Sequence, residues 1–391
     1  MLTIANVNPE MLTWARKAQG LSQEEVSSKK RFRKVSMWED GSKKPTMNQL
    51  LDLAHFYHRP SAIFFRSSPP SDMKKIRDSR SKSMVDESPL SSALITEFRL
   101  CENRRKRALE LAEILDKVTF CNIPATTIDA DVNQVGKELS RFLEIDFDSI
   151  RSFKEDSDVL GYWIDRVEAR SILVFRTHTH TGLNPSYKEI RGVSSYEDEY
   201  PWILINSQEH PRGQLFTLGH ELAHLMLRSS NLCDLNEDDH SDSVRYERFC
   251  NQVSAAALMP RKIIEEWIAS HSMKFRSDEE IEKGISLIQK KTHTSEESIA
   301  RRLVTLGFIS WNDYNLVRDK SIHNLDEDRK KLGNIPAGEY YYKRVMRWNG
   351  RKYTNLTAEA FIEGKISLGR ASELMSAKIP IFNKIISKLY Q

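Results

Sequence analysis

Leu215-Phe216-Thr217-Leu218-Gly219-His220-Glu221-Leu222-Ala223-His224-Leu225-Met226-Leu227 is the stretch on which the reading of this chain turns. Its apolar residues recur at helical spacing, which predicts an amphipathic helix over about 212–228. His220 and His224 are four residues apart and so share one face of that helix, where both imidazoles can reach a single ion. Glu221 stands beside them with a carboxylate suited to taking a proton from water that the ion activates. This is the H-E-x-x-H pattern of a zinc peptidase helix. Three fixed residues also recur by chance, with an exposed His220 and a satisfied core His224 as the bland reading. Against it, the motif sits inside a credible helix, 220–227 holds no proline or glycine, and a short apolar run at 202–206 precedes it.

A catalytic zinc takes a third protein ligand and keeps one position open. Downstream candidates are Glu237, Asp238, Asp239, His240, Asp242 and Glu247. Glu247 is favoured because it heads an expected second helix, about 244–258, whose Val253, Ala256 and Ala257 can pack on the first. A carboxylate held on a helix fixes coordination geometry better than one in a loop; His240 is the main rival. The run 202–206 is expected to line the cleft edge and pair with an extended substrate backbone. His210, Tyr196 and Tyr246 are unranked candidates for stabilising an oxyanion.

Outward from the motif, the chain reads as mainly α with a small β-sheet, an α+β fold. Residues 1–66 form a compact helical domain, 67–90 a Ser/Pro/Lys/Arg-rich linker, and 91–130 a basic connecting helix. A zincin-like domain over 131–270 and a helical C-terminal part over 271–391 follow. Within these, helices are expected at 91–119, 132–144, 157–170 and 295–306, strands at 171–176 and 202–206, and a small β element around 340–353. The basic face of the connecting helix carries Arg99, Arg104, Arg105, Lys106 and Arg107.

Composition narrows the class. The 391 residues are 39% hydrophobic and 29% charged, ordinary for a soluble globular protein. The longest apolar runs, 203–205 and 255–259, fall far short of the ~20 residues that cross a bilayer. No basic-then-apolar leader is seen after Met1. Four cysteines (Cys101, Cys121, Cys233 and Cys250), none in a C-x-x-C pair, make neither a disulfide framework nor a zinc knuckle. A cytoplasmic protein without a membrane role is expected. Residues 1–80 hold fifteen Lys/Arg against eight Asp/Glu, and residues 201–260 hold four Arg against eight Asp/Glu. A basic head suits a polyanion and an acidic middle suits a cation, with solvated surface as the bland reading of both.

The run Trp202-Ile-Leu-Ile-Asn206, the motif 216–227, Glu247-Arg-Phe-Cys-Asn251 and Ala255-Ala-Ala-Leu-Met-Pro260 together resemble the ImmA/IrrE metallopeptidases. Arg191-Gly192 is similar to the segment ahead of the strand in that family. The resemblance implies metal ligation by His220, His224 and Glu247, with Glu221 catalytic. It implies Zn2+, with Mn2+ or Fe2+ as alternatives, and regulated, selective cleavage of a repressor-like partner; some relatives accompany a toxin as its antitoxin. One branch of the family carries an Xre-type helix-turn-helix at its N-terminus. Leu21-Ser-Gln-Glu-Glu-Val26, Trp38-Glu-Asp-Gly41 and Lys44-Pro-Thr46 resemble that pattern. DNA binding would then run through Lys29, Lys30, Arg31, Arg33 and Lys34, and Xre-type domains often pair into homo-oligomers. The stretch between Val26 and Trp38 departs from the pattern: it is short and lacks the usual small turn residue and apolar position, which predicts a truncated recognition helix. Trp38 is expected in the core.

Overall fold

The computed structural model describes residues 4–57, 59, 61–69, 91–177, 185, 189–228, 240–320 and 340–390, the side chains of 92 and 240–243 excepted. The chain divides after Leu100 into two compact units.

In the first unit four short helices, α1 (Pro9–Lys17), α2 (Gln23–Ser27), α3 (Val35–Glu39) and α4 (Met47–Phe56), surround a core built on Met11, Leu12, Val26, Trp38, Leu50 and Tyr57. Their starts are written locally. Asn8 caps α1 ahead of Pro9, and reciprocal capping boxes open α2 (Ser22 with Glu25) and α4 (Thr46 with Gln49). The apolar positions expected to be missing between Val26 and Trp38 are present: Phe32, in a 3-10 turn over Lys30–Phe32, and Val35 are both buried. A polar clamp supplements this small core. Arg16 Nε donates to Glu39 Oε1 at 2.8 Å, Arg16 Nη2 to Glu39 Oε2 at 2.8 Å, and Gln23 Nε2 to Glu39 Oε2 at 2.8 Å, which ties α1, α2 and α3 together.

The second unit contains the sheet. Strands β1 (Leu173–Arg176), β2 (Gly192–Ser195) and β3 (Trp202–Ile205) lie in the order β1-β3-β2. β3 runs parallel to β1, with Leu173 opposite Trp202, and antiparallel to β2, with Gly192 opposite Ile205. All four residues of β3 are buried, because both faces of the sheet are covered. That is why 202–205 reads as an unbroken apolar run rather than an alternating one. The central position of β3 corrects one expectation: hydrogen-bonded on both sides, it has no edge to offer a substrate. Among the described residues the edges belong to β1 and β2.

Helices α6 (Val132–Phe142), α7 (Phe147–Ser152), α8 (Asp156–Glu168), α9 (Pro211–Met226), α10 (His240–Leu258), α11 (Arg261–Ser270), α12 (Asp278–Thr292), α13 (Glu296–Thr305) and α14 (311–320) follow around it. One apolar core joins Leu139, Trp163, Ile203, Leu218, Leu222, Val253 and Ile299. Arg302 of α13, 1% exposed, donates to the Met259 carbonyl at 2.8 Å and so secures the C-terminal end of α10.

The β element expected around 340–353 is helical instead. α15 (Tyr341–Asn349) and α16 (Arg351–Ile362) meet at Gly350, with φ +75°, where an added Cβ would come within 2.5 Å of the Val174 carbonyl oxygen. The aromatic, β-prone run at 340–353 is thus overridden by a helix–glycine–helix joint packed on β1. At that joint Glu168 Oε2 accepts the Arg351 N–H at 3.1 Å. Burial pushes the Glu168 carboxyl up to about 8. Helices α17 (Leu368–Leu374) and α18 (Ile379–Leu389) complete the chain.

Helix α5 (Ser92–Ile114) ends short of the expected 119, and Val118 beyond it is 76% exposed. Its basic face is not a continuous solvated stripe. Arg104 is 5% exposed, donates to Asn349 Oδ1 at 2.8 Å and stacks over Phe175. Arg105 donates to the carbonyls of Glu199 and Tyr200 at 2.8 and 3.1 Å, and Arg99 to that of Ala18. These guanidinium groups serve packing, which leaves Lys106 and Arg107 as the solvent-facing cations of that run. Among the described residues no helix is long and apolar enough to cross a membrane.

Candidate metal centre

Pro211 opens α9 at a position where a missing N–H costs nothing, and His210 caps it, its Nδ1 accepting the Arg212 N–H at 3.3 Å. Leu215, Leu218, Leu222, Leu225 and Met226 are buried, so the helix is held from several sides. His220, Glu221 and His224 are themselves only 4%, 0% and 2% exposed.

The i, i+4 spacing brings the Nε2 atoms of His220 and His224 to 2.9 Å. The Glu247 carboxylate on α10 faces both, with Oε2 3.3 Å from His220 Nε2 and Oε1 3.3 Å from His224 Nε2. One turn further along α10, Asn251 Oδ1 lies 2.9 Å from His220 Nδ1. An amide oxygen there selects the tautomer with the proton on Nδ1 and turns the Nε2 lone pair toward Glu247. Donor atoms about 2.0–2.1 Å from a tetrahedral zinc stand roughly 3.3 Å apart, which is the spacing Glu247 makes with each histidine. Two imidazoles and one carboxylate, convergent and nearly dry, therefore fit a divalent ion.

Helix–helix proximity makes this convergence possible. A Cβ on Gly219 would lie 2.6 Å from Ser254 Oγ, so only glycine lets α10 approach α9 this closely beside the motif. Ser254 Oγ donates to the Phe216 carbonyl at 2.8 Å and closes the contact. Glu247 lies about two turns into α10 rather than at its head, since the helix starts at His240.

The Glu221 carboxylate reaches the sheet. Ser194 Oγ of β2, itself 0% exposed, donates to Glu221 Oε2 at 2.9 Å. Gly192 in the same strand makes room, because a Cβ there would come within 2.4 Å of Thr217 Cγ2 and 3.1 Å of Glu221 Oε1.

The structure thus brings His220, His224, Glu221 and Glu247 together. Glu237, Asp238 and Asp239 lie outside the described residues, and of His240 and Asp242 only the helical backbone is described. Sequence reasoning missed Ser194, Asn251 and Cys250. The ligating atoms of His220, His224 and Cys250 all lie within 4.8 Å of one another. Cys250 and Asn251 stand three and four residues after Glu247, a spacing that itself puts them on its helix face; Ser194 needed the strand pairing. Of the oxyanion candidates, His210 heads α9, about 15 Å of helix away from His220. Tyr196 OH donates to Asp198 Oδ1 at 3.0 Å and accepts from Arg228. Tyr246 precedes Glu247 on α10 and is half-buried.

In the first unit, Lys29, Lys30, Arg31, Arg33 and Lys34 are all exposed, and Arg31 pairs loosely with Asp52 at 3.6 Å. Trp38 is 2% exposed, in the core as expected.

Residues 168–304 match the model of the IrrE N-terminal-like domain. The radiation response metalloprotease IrrE of Deinococcus deserti is 40% identical over 76 residues, covering 18% of this chain and 27% of that protein. Its namesake from Deinococcus radiodurans is 37% identical over 79 residues, covering 19% of this chain and 24% of that protein. The chain therefore spans about a quarter of the length of the curated relatives it matches. That family match covers the segment from the end of α8 through α13.

Proposed function

We propose that this chain is a zinc-dependent endopeptidase that selectively cleaves a repressor-like regulatory protein, coupled to an Xre-type DNA-binding domain within residues 1–66. The observation that carries the reading is the Glu247 carboxylate, which meets both histidine Nε2 atoms at 3.3 Å while Glu221 stands beside them. His220, His224 and Glu247 would hold the ion, and this donor set suits zinc, with manganese or iron accepted by the same atoms. The ion, when bound, supplies Lewis acidity toward the scissile carbonyl and the attacking water. Glu221 accepts the proton of that water and returns it to the leaving amine. Ser194 fixes the rotation of the Glu221 carboxylate. Asn251 fixes the ring of His220. An extended substrate backbone pairs with β2, the edge strand that contacts Glu221. Burial of all three motif side chains supports selectivity, since only a segment presented extended to the cleft reaches them. The likeness to the metalloprotease IrrE over the same segment supports the reaction class. The five exposed cations beside α3 support phosphate contacts.

The same burial favours one second reading: a regulator of antitoxin type that holds a toxin and DNA with little proteolysis. Wild type and Glu221→Gln, expressed in the native host and captured with their bound proteins, separate the two. A partner that is intact on Glu221→Gln and cut with wild type establishes the peptidase; the same intact partner in equal amount on both establishes the regulator.

A further inference from the structure

We propose that Cys250 is a further, sulfur ligand of the ion held by His220 and His224, so that the site has a closed resting state with four protein donors. The inference rests on the reading of this site as a metal centre. Cys250 lies between Glu247 and Asn251 on the face of α10 that meets the motif, and both of those neighbours already contact the histidines. It is 0% exposed. Its Sγ and the histidine nitrogens lie within 4.8 Å of one another. Zinc–sulfur and zinc–nitrogen bonds of about 2.3 and 2.0–2.1 Å in a tetrahedron put sulfur and nitrogen roughly 3.6 Å apart. Ligation would bring Sγ from within 4.8 Å to that separation by rotation of the Cys250 side chain.

A buried cysteine usually behaves as a small hydrophobe. What sets this one apart is its position beside two imidazoles and a carboxylate that already converge. The Glu247 side chain is 25% exposed, whereas Cys250 is fully buried. Two histidines, one carboxylate and one thiolate fill a tetrahedron and leave no position for water, as in a structural zinc site. Displacing Cys250 opens that position, so the thiolate acts as an internal latch on the chemistry of Glu221. A soft sulfur donor also tilts the site toward zinc and away from manganese.

Cobalt(II), loaded into the 391-residue chain in place of zinc, is the probe. Wild type is expected to show a thiolate-to-cobalt charge-transfer band in the near ultraviolet together with tetrahedral ligand-field bands. Cys250→Ala should lose the first, keep the second, and bind cobalt at least about tenfold more weakly in chelator competition. Cys101, Cys121 and Cys233 remain in that variant, so loss of the band assigns it to Cys250. The wild-type spectrum needs no variant to fold, and X-ray absorption of the zinc-loaded chain reads the same sulfur directly. Cobalt bound with no thiolate band in wild type overturns this proposal and leaves the metal centre standing. Failure of wild type to bind cobalt or zinc overturns both.

Discussion

Two helix pairs carry the chemistry-bearing residues, and they are built in opposite ways. α9 and α10 have 16 and 19 residues, and the histidines and Glu221 between them are almost wholly buried. α2 and α3 have five residues each, and the cations between them are exposed. Long helices bury enough apolar surface to fix side chains against their preference for water, which a convergent ion site requires. The short helices bury little and leave their cations solvated, which suits a partner held by charge rather than by fitted coordination. The first pair depends on apolar packing and glycine contacts. The second depends on one polar clamp.

That dependence predicts the largest effect. Arg16→Ala removes the counter-charge of Glu39, whose side chain is 2% exposed, and should destabilise the first unit by about 3–5 kcal/mol in denaturant unfolding. An unchanged midpoint would mean that the short pair stands on its apolar core after all.

The second unit buries the Glu168 carboxyl. Glu168 is raised from 4.5 to about 8 in the folded state. A raised acid binds more protons folded than unfolded, so its stabilising contribution is full below pH 4.5 and lost as pH rises through about 8. The cost at alkaline pH is on the order of a few kcal/mol, and Glu168→Gln should flatten the fall of melting temperature between about pH 6 and pH 9. Parallel wild-type and variant curves would contradict the burial argument.

A smaller effect is expected at Asn251. Asn251→Ala removes the acceptor that orients His220, so zinc affinity should fall about 10–100-fold with the fold intact, read by chelator competition. The smallest belongs to the exposed cations. Lys30→Ala should leave stability within about 0.5 kcal/mol and lower the salt slope of DNA binding by about one unit. Binding that ignores both salt and this substitution would remove the DNA-binding half of the comparison.

The same contrast explains what the sequence made legible. His220, Glu221 and His224 could be read because a single helix turn sets their geometry. Glu247 required a guess about helix packing. Ser194 was hidden, because its reach to Glu221 depends on the pairing of β2 with β3, and β2 itself is only four residues long. Arg104 read as a surface cation until Phe175 and Asn349, distant in sequence, enclosed it. The run 340–353 read as β from its aromatic residues, whereas Gly350 and the buried Glu168 organise it as two helices. In each case the missing information was tertiary.

Metal stoichiometry tests the central claim most directly. After zinc loading and removal of excess ion, native mass spectrometry of the 391-residue chain should find one zinc in wild type and in Glu221→Gln. It should find none in the His220→Ala/His224→Ala double variant. Equal zinc in all three would contradict the assignment of the α9–α10 cleft as the metal centre.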